Sequence, residues 1–304
     1  MTATPPPGVL CPALTPFDAS LKVNVPAWLR FCRWLISQGV GLAVFGTNSE
    51  ANSLGTGEKA EMLQALLDDG IDPTWVMPGT GTCALPETVQ LTRLAAEAGC
   101  AGALMLPPFY YKGVTDDGLY AYFSEVIQRV GDARLRVFLY HIPPISQVAI
   151  PADVIERLIN DYPGTVAGIK DSGGDWDHTA DLIARQWDGF RVYAGSESFL
   201  LQTLRAGGAG CISATANVNP AAIARLRQHW QESGADDRQA ELDAVRQTFQ
   251  QFPMIGALKA TVAYFSGEAQ WAVPRPPLAA LSAADTQRLA GQLQELKLTM
   301  EGLG

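Results

Sequence analysis

Apolar and polar positions along this chain follow two alternating periods. Short apolar runs recur about every 25–30 residues, at 9–13, 42–46, 75–79, 102–106, 136–141, 165–170, 191–194 and 210–213. Runs of this length bounded by turn-forming residues suit buried strands. Between them, stretches such as 26–37, 57–67, 85–98 and 116–130 place apolar residues at three- and four-residue steps, the period of an amphipathic helix. Pro86 stands in a helix start, where proline is tolerated, and Pro151-Ala152-Asp153 opens another helix in the same way. Strands alternating with helices at this spacing predict βαβ units and a parallel sheet. Eight such units predict an α/β fold of the closed (β/α)8, or TIM, barrel kind. An open dinucleotide-binding sheet needs a glycine-rich turn after its first strand, and the chain has Leu14-Thr15-Pro16-Phe17 there.

After the eighth run the helical period persists, over 221–231, 240–252, 255–264 and 284–296. A loop at 268–277, carrying Trp271, Pro274, Pro276 and Pro277, separates the last two. The expected organisation is a barrel over 1–225 with the catalytic site. A C-terminal helical extension over 226–304 packs on it.

Composition narrows the function. The 304 residues are 47% hydrophobic and 17% charged, ample for a core. A net charge of −9 speaks against nucleic acid or an anionic membrane as partner. The five cysteines lie scattered in apolar runs without a CxxC, and read as reduced thiols. His141, His178 and His229 are isolated in sequence, so no metal site is expected. The start, Met1 to Pro7, has neither the basic nor the apolar region of a signal peptide, and no apolar run reaches the ~18 residues of a membrane span. The expected location is the cytoplasm.

In such a barrel the reactive groups sit at the C-terminal ends of the strands. The sixth run, Thr165 to Lys170, ends in a lysine followed by Asp171-Ser172-Gly173-Gly174. A lysine closing an apolar strand has two readings. It is a nucleophile that forms a Schiff base with a carbonyl, or it snorkels to water or pairs with Asp171. The second run ends in Gly46-Thr47-Asn48-Ser49-Glu50, either a nest of backbone N–H groups for a carboxylate or phosphate or an ordinary helix start. The fifth ends in Tyr140-His141-Ile142-Pro143. Side chains alternate along a strand, so if Tyr140 faces the barrel interior, as a proton-transfer group or a core tyrosine, His141 faces the helices. The fourth run leads into the aromatic loop Phe109-Tyr110-Tyr111, of a kind that packs at interfaces. The seventh and eighth end in Gly195-Ser196-Glu197-Ser198 and Gly210 to Asn217.

In these motifs and their order the chain resembles the dihydrodipicolinate synthase / N-acetylneuraminate lyase family over roughly residues 8–295. That resemblance implies a class I aldolase. Lys170 would form an imine with pyruvate, and Tyr140 would shuttle protons. Thr47 would link Tyr140 to Tyr110 of a neighbouring subunit. The N–H groups of Thr47 and Asn48 would hold the pyruvate carboxylate, and the Ile212 carbonyl and the Gly195 turn would line the pocket. It implies no cofactor beyond the covalent imine, pyruvate with an aldehyde or 2-keto acid as substrate, and assembly as a homodimer or homotetramer.

Departures from the family pattern bear on the second substrate. Synthases place an arginine five residues after the tyrosine, and Ile145 stands there, which cannot clamp a carboxylate. Sialic-acid lyases use an Asp-Glu pair where Glu197-Ser198 stands; Glu197 is the candidate left for substrate hydroxyls. Thr56 and Cys83 replace the lysine-feedback residues of some synthases, so lysine inhibition is not expected. The leading expectation is a lyase or aldolase acting on a 2-keto acid such as a 2-keto-3-deoxy acid. The alternatives are a dihydrodipicolinate synthase condensing pyruvate with aspartate semialdehyde, a keto-deoxy sugar acid dehydratase, and a non-catalytic keto-acid-binding barrel.

Overall fold

Strands β1 (Val9–Cys11), β2 (Gly41–Leu42), β3 (Ala103–Met105), β4 (Val137–His141), β5 (Val166–Asp171), β6 (Arg191–Ala194) and β7 (Gly210–Ile212) form one parallel sheet in the order β2-β1-β7-β6-β5-β4-β3. The structure is a computed structural model that describes residues 6–303. Most of the Met1 to Pro7 segment read for a leader lies outside them.

The run expected at 75–79 is the stave that closes the ring. Its residues bridge β2 and β3 through the pairs Leu42↔Val76 and Gly79↔Leu104. Met77 N–H donates to the Leu42 carbonyl at 2.8 Å, and Leu104 N–H donates to the Pro78 carbonyl at 2.9 Å. Pro78 has no N–H to return to β3, so the pairing stays broken into single bridges instead of a continuous ladder. Gly79 is required here: a Cβ on it would lie 2.1 Å from the Phe45 carbonyl oxygen. Seven strands and this stave make the predicted eight-membered TIM barrel.

The barrel interior is filled by Leu10, Ala43, Met77, Leu104, Phe138, Tyr140, Tyr193 and Ile212. Larger apolar layers separate the barrel wall from the helices around it. Helix α1 (Val25–Ser37) starts on Asn24, whose side chain accepts from Ala27 N–H. Helices α2 (Thr56–Asp68), α3 (Leu85–Glu97) and α4 (Asp116–Val130) fall where the period predicts them. One turn, α5 (Pro143–Ser146), directly after β4 was not expected; α6 (Ala152–Asp161), α7 (Trp176–Ala184), α8 (Leu200–Arg205) and α9 (Pro220–Gln228) complete the circuit.

Three further helices follow: α10 (Ala235–Gln250), α11 (Met254–Ser266) and α12 (Ala283–Glu295). Helix α10 begins five residues earlier than its apolar period predicts. Gly234 is left-handed at its start, and Asp236 and Asp237 occupy the first turn, where carboxylates favour the helix dipole. That polar first turn hides the start from an apolar pattern. No helix among the described residues is long and apolar enough to cross a membrane.

One irregularity positions the chemistry. Val137 pairs with Val166, but the next residue, Phe138, pairs with Gly168. Ala167 is therefore an extra residue, a bulge that reverses which face the rest of β5 presents. Beyond it Tyr140 pairs with Lys170 and His141 with Asp171.

Candidate active site

Lys170 is 3% exposed and Tyr140 likewise, although both stand at the barrel mouth. Lys170 Nζ donates to the Tyr140 hydroxyl at 3.2 Å and lies 4.2 Å from the centre of its ring. The Tyr140 hydroxyl is also 3.0 Å from Thr47 Oγ1. Because the tyrosine oxygen accepts from the amine, its own proton is free for Thr47. Three residues from three staves thus form a chain of exchangeable protons ending on an amine.

The chain opens into a cavity of about 260 Å³ lined by Thr47, Asn48, Ile142, Ile145, Asp171, Ser172, Gly174, Gly195, Ser196, Phe199, Ala214, Arg246 and Met254 as well as the lysine and tyrosine. Larger depressions, such as one lined by Trp187, Arg191 and Arg227, lie away from these residues.

Residues Thr47–Ser49 form a single 3-10 turn, closed by Ser49 N–H on the Gly46 carbonyl and Glu50 N–H on the Thr47 carbonyl. Glu50 ends it in the left-handed region at φ 58°, ψ 36°. A buried ion pair holds that strained residue: Glu50 Oε1 accepts from Lys259 on α11, and Glu50 Oε2 accepts from Arg275 N–H at 2.9 Å. Lys259 also donates to the Thr15 carbonyl at 2.8 Å. Lys259, at 0% exposure, and Lys59, at 4%, are as buried as Lys170, so burial alone does not single out the nucleophile. Lys259 is spent on its carboxylate; Lys170 faces an open cavity.

Gly195 lines the cavity as expected. A Cβ there would lie 2.0 Å from Ser172 Oγ, so the ends of β5 and β6 approach only because this residue is glycine.

Two expectations need correction. Glu197 does not line the cavity: it is 1% exposed and accepts from the hydroxyls of Ser213 and Thr215. Its Oε2 lies 3.5 Å from Arg246 Nη1 and accepts from Ser196 Oγ at 3.5 Å, so it meets the site through two side chains of the cavity wall. Ile212 is fully buried in the barrel interior, and it is not among the residues that line the cavity. Ile145 does line it and is 62% exposed. Tyr110 is 74% exposed, edge-on to Tyr111, and reaches no residue of this site within its own chain.

The histidines are isolated only in sequence. His141 and His178 stack with ring centres 4.6 Å apart, and His178 Nδ1 is 2.9 Å from Asp171 Oδ2. With Asp171 they are the one set of three residues among those described whose donor atoms are gathered closely enough to hold a metal. The local hydrogen bonds oppose that use. His141 Nδ1 accepts from Ile150 N–H at 3.1 Å, which leaves the hydrogen on Nε2, the atom facing Asp171. Asp171 is already occupied by His178, Thr179 and Gly173 N–H. Burial pushes the His141 imidazole down to about 4, against the attraction of Asp171. The hydrogen bond to Asp171 raises His178. Burial works to raise Asp171, and its hydrogen bonds outweigh that and lower it. The cluster faces the helices, as the alternation from Tyr140 predicts.

A model of the Dihydrodipicolinate synthetase family matches residues 5–296. This chain belongs to that family. An uncharacterized DapA-like lyase of Chloroflexus aurantiacus is 31% identical over 296 residues, 94% of this chain and 98% of the relative. The dihydrodipicolinate synthase of Agrobacterium tumefaciens superposes with a TM-score of 0.87 at 30% identity, covering 95% of this chain and 99% of that one. YagE of E. coli K12, a prophage protein of the dihydrodipicolinic acid synthase family solved in complex with pyruvate, superposes with a TM-score of 0.86 at 28% identity, covering 96% and 98%. The TIM barrel agrees with that membership.

Sequence reasoning missed Arg246. It stands on α10, in a stretch of ordinary helical polarity, and nothing in the local pattern sets it apart from a surface arginine.

Proposed function

We propose that this chain is a lyase of the class I aldolase type that uses pyruvate, bound as an imine on Lys170. The observation that carries the reading is the Lys170 amine, 3.2 Å from the Tyr140 hydroxyl in the wall of the cavity. The pyruvate complex of YagE supports the choice of keto acid.

The free amine of Lys170 attacks C2 of pyruvate, and the carbonyl oxygen takes up a proton from Tyr140. Water leaves and an imine remains. The imine withdraws electrons, so a methyl proton is lost and an enamine forms. In the synthetic direction the enamine carbon bonds to the carbonyl carbon of an aldehyde, whose oxygen becomes a hydroxyl by protonation. Water then releases the 2-keto acid and restores the amine. Cleavage is the same sequence reversed. Thr47 orients Tyr140 and relays its proton, and the N–H groups of Thr47 and Asn48 hold the pyruvate carboxylate. No metal and no separate cofactor enter this scheme.

In this reading the barrel, residues 1–225, supplies the reacting groups, and the extension, 226–304, shapes the mouth. The exposed Tyr110 and Tyr111, at 74% and 69%, suit an interface in a homodimer or homotetramer that would bring Tyr110 of one copy to Thr47 of the other. All five cysteines are unpaired, which suits the cytoplasm.

The test is borohydride trapping with pyruvate, read by intact mass and peptide mapping. The expected result is one reduced pyruvate on Lys170, absent in Lys170→Ala. A folded protein that gives no adduct in excess pyruvate is a keto-acid-binding barrel or something else, and not this enzyme.

A further inference from the structure

Apart from the groups at the strand ends, the wall of the reaction cavity is largely apolar. Ile142, Ile145, Phe199, Ala214 and Met254 all line it. Ile145 is 62% exposed, and the turn that carries it is pinned. The N–H groups of Ile145 and Ser146 donate to the Ile142 carbonyl at 3.1 and 2.9 Å, and Lys112 Nζ donates to the Ser146 carbonyl at 2.7 Å. The Phe199 ring is tilted against Trp176 on α7, with centres 5.9 Å apart. Met254 is the first residue of α11. Large apolar side chains are thus held in contact with the space a substrate enters, where covering them is favourable.

The polar groups of the same wall are mostly occupied. The Ser196 hydroxyl accepts from Ser198 N–H at 3.2 Å and donates to Glu197 Oε2 at 3.5 Å. The Asp171 carboxylate accepts from Thr179 and Gly173 N–H and is bonded to His178. Arg246 Nε and Nη1 have no exposed surface, and Glu197 Oε2 stands 3.5 Å from Nη1. Glu197, the residue expected to bind substrate hydroxyls, is buried under Ser213 and Thr215. Asn48 and Ser172 remain. Asn48 adjoins Thr47, and Ser172 follows Lys170 by two residues, so both belong with the keto acid. A hydroxyl moved from water to an apolar wall without a partner is costly, and a sugar chain would bring several.

Resting on the Schiff-base reading above, we propose that the aldehyde half of the substrate carries an apolar group, so that this enzyme makes or cleaves 4-hydroxy-2-oxo acids whose chain beyond C4 is alkyl or aryl. Ile145, Phe199 and Met254 cover that group. In cleavage the C3–C4 bond of the Lys170 imine breaks and its electron pair stays on C3 as the enamine. The C4 hydroxyl gives up its proton and leaves as the carbonyl of the apolar aldehyde. Protonation of C3 and attack of water on the imine then release pyruvate and the free amine.

The experiment compares 4-hydroxy-2-oxohexanoate with 2-keto-3-deoxygluconate, which has the same six-carbon chain and differs only in hydroxyls on C5 and C6. Each is supplied with both configurations at C4, and pyruvate release gives kcat/KM in the intact protein. We expect the wild type to prefer 4-hydroxy-2-oxohexanoate by at least about tenfold. In Ile145→Asn, a change on an exposed turn, that ratio falls by about threefold or more. The ratio is internal to each protein, so general damage to the site cancels. Pyruvate trapping by borohydride is read in parallel. A wild type that traps pyruvate but shows no such preference, or cleaves neither acid, overturns this inference and leaves the Schiff base standing. An Ile145→Asn protein that keeps the wild-type ratio overturns it as well. Absence of any pyruvate adduct in the wild type overturns the Schiff-base reading, and this inference with it.

Discussion

Tyr140 and Lys170 are direct neighbours across β4 and β5, and the pairing that joins them exists because Ala167 is an extra residue in the ladder. Val166 and Ile169 belong to the layer between barrel and helices, whereas Lys170 reaches the Tyr140 hydroxyl at 3.2 Å in the mouth. With strict alternation from Val166, residue 170 would share the helix-facing side. The bulge turns the amine inward.

Tyr140→Phe removes the hydroxyl bonded to the Lys170 amine while keeping the ring beneath it. Turnover is expected to fall about a hundredfold or more, as for loss of a positioned proton-transfer group. Borohydride trapping should still label Lys170, but more slowly. A variant with wild-type trapping and turnover would remove Tyr140 from the proton path.

Lys259→Met leaves the Glu50 carboxylate buried without its ammonium. The expected cost is about 3–5 kcal/mol in urea unfolding, because an unpaired buried charge is severely disfavoured. The double variant Lys259→Met with Glu50→Leu should recover much of the loss in stability. It should not recover activity, since the left-handed residue that ends the 47–49 turn loses its anchors. Equal stability of the single and double variants would contradict the pairing.

Two stacked histidines give opposite pH dependences. His141 is held neutral with its value pushed down to about 4 by burial, whereas in the unfolded chain it titrates at the ordinary 6.5. As the pH falls from about 6.5 to about 4 the unfolded chain takes up a proton that the folded one refuses. Stability should then drop by on the order of 3 kcal/mol. His178 is raised by its bond to Asp171, so its contribution is complete below about 6.5 and is lost as the pH rises through its folded value. Denaturant unfolding across this range should show a flatter acid decline in His141→Asn. In His178→Asn the loss should be larger at pH 6 than at pH 9.

Gly195→Ala places a methyl group 2.0 Å from Ser172 Oγ and 2.7 Å from Ser172 Cα. Separating the ends of β5 and β6 should cost about 1–3 kcal/mol. Because Ser172 and Gly195 both line the cavity, pyruvate trapping should weaken as well. Unchanged stability and trapping would mean the two strand ends yield more easily than their contact suggests.

Light scattering should give a mass of at least twice the 32.6 kDa chain. Replacing Tyr110 and Tyr111 together by alanine should shift it toward the monomer and slow turnover. A wild type that is a fully active monomer would refute the interface and the role given to Tyr110.

The local pattern by itself determined a good deal. Apolar runs at a regular spacing specify a strand-helix barrel, because each run is long enough only to cross the wall once and must be followed by a helix that returns the chain. Strand-end residues specify where chemistry gathers, so Thr47, Asn48, Tyr140, Lys170 and Gly195 were legible, and alternation alone sent His141 away from Tyr140. Other features depend on how distant segments pack. Pro78 breaks the ladder of a stave that only its neighbours reveal as part of the ring. Glu197 looks like a mouth residue until Ser213 and Thr215 are seen to bury it. Arg246 comes 76 positions after Lys170 on a helix with no local mark of function, and it reaches the cavity because α10 docks on Glu197 and on Leu201 at the start of α8. Periodicity records which face of an element is apolar. Which element covers the mouth, and which strand carries one residue too many, is decided by packing between segments far apart in the chain.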